Sequence, residues 1–221
     1  MQLSGLVTVQ PEQTKTIDKL ASMMGVSFLE EPWTEVWLES LDAIGTTDER
    51  KLEISRAIMK YDFTVGAPHE CCYMLPNFAA GAGAYLSSDL EGRIWNDLED
   101  EAIEMMANAV LTEAEKAALF QRADEMEGIS NFKWMVDETE GEAFIHFFSL
   151  GVNRDMRGSG AFRRLMTPFL EYADAHGINC YLECYSDHLE SLYGHFGFRT
   201  VHRFRDPAFS VYERAMVREP R

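Results

Sequence analysis

Residues 154–160 read RDMRGSG and run directly into AFRRLMTPFLEYADAHG at 161–177. Upstream, AFIHFFSLGV (143–152) has the composition of a strand buried on both faces. Downstream, the apolar residues recur at helical spacing from about 160 to His176, and Gly177 supplies a C-terminal stop. An apolar strand therefore gives way to a helix through a glycine loop. The first N–H groups of a helix lack intrahelical acceptors, and the helix dipole adds partial positive charge there. Arg154, Arg157, Arg163 and Arg164 less Asp155 give residues 154–164 a local charge of +3. The combination predicts an anion site suited to a pyrophosphate. It is neither a P-loop, for which the spacing and the lysine are missing, nor a dinucleotide fingerprint, for which the third glycine is missing. On the glycines alone, a tight turn explains the stretch equally well.

The surrounding chain restricts what the anion can be. Its 221 residues carry 37 acidic against 20 basic side chains, a net charge of −17, with 46% hydrophobic residues. That composition predicts a folded chain and argues against nucleic acid or anionic lipid as a partner. Cationic small molecules are attracted instead. There is no basic-then-apolar leader and no apolar run of membrane-spanning length, so a cytoplasmic protein is expected. Cys71, Cys72, Cys180 and Cys184 match no zinc spacing, so no metal is expected, and they read as buried thiols.

Along the chain, 3–10 reads as a strand and 11–28 as a helix. Phe28, Trp33, Trp37 and Leu41 recur at helical spacing, as do Leu52, Ile54, Ile58, Met59 and Phe63. Residues 71–75 and 80–86 read as a hairpin about PNF, and Gly81 and Gly83 mark a bend or a close approach. Residues 95–127 read as two helices broken near Leu111, with Thr112 and Glu115 forming a capping box. Their apolar face, Met105, Met106, Val110, Leu119 and Phe120, is a packing face or an adaptable pocket wall. DETEGE (137–142) reads as an acidic turn. Strand 178–185, a short helix capped by Ser186 or Asp187 and ending at Gly197, and two final strands complete the chain. No linker or repeat divides it, and 1–221 reads as one domain, with 95–127 as a helical insertion.

LGVNRDMRGSGAFRRLMTPFLEYADAHG (150–177), followed by LYGHFGF at 192–198, resembles the GNAT superfamily of acyl-CoA-dependent N-acetyltransferases, within it the puromycin N-acetyltransferase-like branch. The likeness is strongest over 143–198. It implies an α/β fold with a mixed, splayed central sheet, helices on both faces and the insertion placed before the cofactor-binding strand. It implies acetyl-CoA as cosubstrate and a small cationic or amphipathic amine as acceptor. The backbone of Leu150, Gly151 and Val152 would pair with the pantetheine arm. Arg157 and the amides of Gly158, Ser159, Gly160, Ala161 and Phe162 would hold the pyrophosphate. Phe162 stands where a small residue is usual. Leu189 stands where relatives often carry an asparagine, with Ser186 or His188 as substitutes for its contact.

Transfer to an amine needs a base, an oxyanion donor and an acid for the thiolate. Tyr193 matches the family's acid, and a phenol with an ordinary pKa of about 10 is protonated at neutral pH. A backbone N–H near Leu150–Val152 would meet the oxyanion. His146, placed by alternation on the face of Phe148 and Leu150, is one candidate base; the alternative is a structural histidine among aromatics. Glu183 is the second candidate, acting through a water or binding the cationic acceptor. Two other readings stay open: a GNAT enzyme acting on a protein N-terminus or lysine, and a non-catalytic acyl-CoA-binding regulatory module. The oligomeric state, a homodimer included, is left open.

Overall fold

The computed structural model describes residues 1–131, 133–139 and 141–221. One mixed sheet of seven strands runs in the order β1-β2-β3-β4-β5-β7-β6. The strands are β1 (Val7–Thr8), β2 (Cys72–Met74), β3 (Ala80–Leu86), β4 (Phe144–Val152), β5 (Asn179–Cys184), β6 (Arg199–Phe204) and β7 (Glu213–Arg218). Every neighbouring pair is antiparallel except β4 and β5. That parallel pair needs a crossover, and helix α7 (Ala161–His176) supplies it. The other helices are α1 (Thr14–Phe28), α2 (Pro32–Leu38), α3 (Asp48–Gly66), α4 (Trp95–Val110), α5 (Glu113–Glu125), α6 (Trp134–Thr139) and α8 (Asp187–Gly194).

Helices cover both faces of the sheet. On one, α7 buries Leu165, Met166 and Phe169 against Tyr73, Ile145, Phe147 and Leu182. On the other, Leu20 and Met24 of α1 and Met59 and Phe63 of α3 pack over Cys72 and Met74. Further along that face, Trp95 and Leu98 of α4 and Trp134 of α6 cover Tyr85, Phe144 and Tyr181. An outer layer joins α2 to α5, where Trp37 Nε1 donates to the carbonyl of Leu119 at 2.9 Å. All four cysteines are free and buried. No described helix is long and apolar enough to cross a membrane.

Several local expectations change. The strand read at 3–10 shrinks to Val7–Thr8, because Gly5 turns at φ 82° and β2 offers only two paired positions. The first helix starts at Thr14, beyond Pro11 and a short turn. Asp137, Glu138 and Thr139 are helical, carried by Trp134 and Met135, which bury into the sheet face; Glu140 lies outside the described residues. Helix α8 stops at Gly194, and Gly197 at φ 94° turns the chain into β6. The break at Leu111 and the Thr112–Glu115 capping box are present, with Thr112 N donating to Glu115 Oε2 at 2.8 Å. Met105 and Phe120 are exposed, so the apolar face proposed for α4 and α5 is narrower than the sequence suggested.

Candidate active site

The site begins where β4 leaves β5. The two pair from Phe144–Asn179 to Phe147–Leu182 and no further. Just there β4 carries a bulge against β3: Ala84 faces Phe147 and Gly83 faces Ser149, leaving Phe148 as the extra residue. Gly83 makes this possible. A Cβ on it would stand 2.2 Å from Phe148 Cε2 and 2.4 Å from Ser149 Oγ. The Phe148 ring stacks on Trp95 with centroids 3.4 Å apart. The bulge also resets the alternation. His146 packs on Tyr85 and Phe148 joins the α4-side cluster, whereas Leu150 turns to the α7-side core. The expected common face for His146, Phe148 and Leu150 is therefore broken at Leu150, because the extra residue shifts the period-2 pattern by one. Beyond the bulge, Leu150, Gly151 and Val152 keep β3 on one edge and have no β5 partner on the other. Ser27 Oγ donates to the Val152 carbonyl at 3.0 Å and ties α1 to this strand end.

The glycine loop closes one end of the opening. Gly158 and Gly160 both sit at φ 77°, a left-handed conformation that side chains resist. Ser159 Oγ donates to the Met156 carbonyl at 2.6 Å, and Arg164 Nη1 donates to the Ser159 carbonyl at 2.9 Å. Gly160 caps α7 without a side chain, and among the described residues no acceptor meets the N–H groups of Ala161, Phe162 and Arg163. The Phe162 ring lies toward Tyr193 and Phe196, at 5.9 and 5.3 Å between centroids. The arginines are less free than their sequence implies. Arg154 and Arg157 both pair with Glu30, Arg157 at 2.8 Å, which offsets part of the +3 charge. The same pairing, with Arg157 first, holds the Glu30 carboxyl below its usual range.

Tyr193 on α8 is buried at 6% exposure and lines the same opening. No hydrogen bond engages its hydroxyl among the described residues. Burial raises its pKa, so it stays a proton donor across the physiological range. Ser186 caps α8, its Oγ accepting from Leu189 N at 3.2 Å, and His188 lies two residues on; both line the opening.

His146 and Glu183, read as rival bases, are partners. His146 Nε2 lies 2.9 Å from Glu183 Oε2, and Trp134 Nε1 donates to Glu183 Oε1 at 2.5 Å. The carboxylate accepts from Nε2–H, which leaves Nδ1 as the basic nitrogen. Nδ1 is buried without a hydrogen-bond partner among the described residues. Behind the pair, Glu213 accepts from the Tyr185 hydroxyl at 2.9 Å; burial, then the charge of Glu183, pushes its carboxyl well above the usual range.

The glycine loop, the Leu150–Val152 edge, Tyr193, His146 and Glu183 share one cavity of about 1010 Å³, which runs from the Gly158–Phe162 end of the loop to the helical layer of α2, α3 and α4. Residues missed in the sequence line its far end. Asp62 is 6% exposed, and burial lifts its carboxyl well above normal. Glu99 and Glu31 line it too, each pushed up to about 7, mainly by burial. The sequence held one signal for Asp62: it is a lone acid within the apolar stripe Ile58, Met59, Phe63. Helix α4 lines the cavity through Glu99, Ala102 and Met106, whereas no residue of α5 does.

A sheet that opens between its two parallel strands, with a glycine loop and bare helix amides at the opening, is the architecture of the GNAT acetyltransferases. Residues 93–198 match the Acetyltransferase (GNAT) family model. No curated protein matches the chain. Three solved structures share the fold over nearly the whole length. One is Drosophila melanogaster polyamine N-acetyltransferase, 16% identical, covering 96% of each chain at TM-score 0.52. Another is arylalkylamine N-acetyltransferase 2 from Aedes aegypti, 12% identical, covering 98% of each chain at 0.54. The third, histone acetyltransferase HPA2 and related acetyltransferase from Corynebacterium glutamicum, is 11% identical, covering 100% of this chain and 98% of that one, at 0.57. At these identities the likeness is one of fold.

Proposed function

We propose that the chain is an N-acetyltransferase that moves the acetyl group of acetyl-CoA to a small cationic or amphipathic amine. The observation that carries this is the continuous cavity joining unsatisfied amides, an open strand edge, a protonated phenol and a histidine–carboxylate pair. The unmet N–H groups of Ala161, Phe162 and Arg163, together with Gly158 and Gly160, fit a pyrophosphate. Phe162 contributes its N–H while its ring packs on Phe196. Arg157 steers the anion while shared with Glu30. The free edge of Leu150–Val152 fits an extended amide-bearing arm in the manner of an added strand. The finer reading, a puromycin N-acetyltransferase-like branch, rests on the motif residues around Arg157 and Tyr193 alone.

Acetyl-CoA supplies the activated acyl group as a thioester. The chain's own part is to bind, orient and handle protons. Glu183 fixes the Nε2–H tautomer of His146, and His146 Nδ1 is the atom that takes the acceptor's proton. A backbone N–H of the Leu150–Val152 edge stabilises negative charge on the carbonyl oxygen. Tyr193 returns a proton to the departing sulfur. Ser186 and His188 flank the thiol end in place of the missing asparagine.

Thiol release from acetyl-CoA against a panel of amines, with CoA binding measured in parallel by calorimetry, tests this. Tyr193→Phe is expected to lower kcat about 100-fold with CoA affinity within about twofold of wild type, the size expected for one positioned acid. Tight CoA binding with no turnover of any amine would replace the enzyme by an acyl-CoA-binding module.

A further inference from the structure

Asp62 has no role in binding CoA or in the proton steps, yet it is the side chain least suited to its position. It is 6% exposed on α3, lines the cavity, and meets no hydrogen-bond donor or cation among the described residues. Glu99 lines the cavity from α4, the helix packed against α3. A buried carboxylate left alone is costly, and it is retained only protonated or opposite a cation. Packing gives no reason for an acid here, since Ile58 and Met59 beside it are ordinary apolar wall.

The two acids also act on each other: the neighbouring charge that raises Asp62 is that of Glu99, and Glu99 feels in turn the charges of Asp100, His146 and Glu183. Trp95 and Phe148, stacked on each other, line the same cavity. Aromatic walls with carboxylates behind them suit an ammonium or guanidinium group.

We infer that the far end of the cavity is a subsite for a second cationic group, so that the acceptor is a dication. One amine is acetylated at the opening while the other ammonium or guanidinium sits between Asp62 and Glu99. This rests on the acetyl-transfer reading above and adds to it two specificity residues, both outside the proton-transfer machinery.

The test compares hexane diamine with hexylamine, in binding calorimetry with CoA present and in acetyl transfer, for wild type, Asp62→Asn and Glu99→Gln. Both variants are isosteric, and either one alone suffices if the other does not fold. Wild type is expected to favour the diamine, with each variant weakening diamine binding about tenfold or more. The diamine-to-hexylamine ratio of kcat/KM should fall by a similar factor, mostly through KM. Diamine and monoamine bound equally by wild type, or a ratio unchanged in the variants, overturns the subsite. If no amine is turned over but wild type binds the diamine and the variants do not, the subsite stands and the acetyl-transfer reading falls.

Discussion

Replacing Gly83 with alanine puts a methyl group where Phe148 and Ser149 already stand. The new Cβ would lie 2.2 Å from Phe148 Cε2, 2.4 Å from Phe148 Cζ and 2.4 Å from Ser149 Oγ. Carbon atoms pack at about 3.5–4.0 Å, so the ring must retreat by about 1.3 Å or more. Retreat is blocked, because the ring already stacks on buried Trp95 at 3.4 Å with the planes 7° apart. Either the β3–β4 ladder opens at the bulge or the ring leaves Trp95. Overpacking of this kind costs about 1–3 kcal/mol. Loss of glycine's freedom in the unfolded chain offsets about 0.4–1 kcal/mol of that. The net cost of about 0.6–2 kcal/mol, at about 2–4 °C per kcal/mol for a chain of this size, should lower Tm by roughly 1–8 °C in a thermal melt. The bulge also ends the β4–β5 pairing, so CoA affinity measured by calorimetry should fall with it. In a Phe148→Ala background the cost of Gly83→Ala should shrink, leaving only the part due to Ser149 Oγ, since the ring contacts belong to that pair. A Tm within about 1 °C of wild type with unchanged CoA affinity would refute the claim that Gly83 exists to admit the Phe148 ring.

Two further predictions concern stability. Glu31 and Glu99 have folded pKa values of about 7, above the ordinary 4.5, so the stability they contribute is full below about pH 4.5 and is lost as pH rises through about 7. Tm should therefore fall between about pH 5 and pH 8, and Glu99→Gln should flatten that fall; the groups facing Glu99 are Asp62 from α3, Asp100 on its own helix, and His146 and Glu183 from the sheet. Glu115 behaves in the opposite sense: Arg50, bonded at 2.8 and 2.9 Å, holds its carboxyl down at about 2, so its contribution is present above the ordinary carboxylate pKa and is lost as pH falls toward 2. Glu115→Ala removes a capping box and two of the hydrogen bonds of Arg50, which keeps Glu53 and the Val110 carbonyl, and should cost about 1–2 kcal/mol by urea titration at neutral pH.

Local signals were legible where one short stretch settles its own conformation. The glycines at 158 and 160, the cap at Thr112 and the stop at Gly177 are of this kind, because a left-handed turn or an unsatisfied helix end is met by residues within a few positions. Gly83 was legible as a close approach, though not as an approach by Phe148. The short β1 and the helical Asp137–Thr139 were not legible, since partner length and burial against the sheet decided them.

The sequence alone determined the strand, loop and helix at 144–176, and with them a row of amides that lack intrahelical acceptors. Their hydrogen bonds are absent by geometry whatever surrounds them. Only the tertiary structure decided the chemistry next to that row. His146 and Glu183 lie 37 positions apart and become one unit because β4 and β5 pair in parallel. Glu30 reaches Arg154 and Arg157 across more than 120 positions, and Asp62 and Glu99 share a cavity because α3 packs on α4. Charges act through space, and no pattern along the chain states which of them the fold brings face to face.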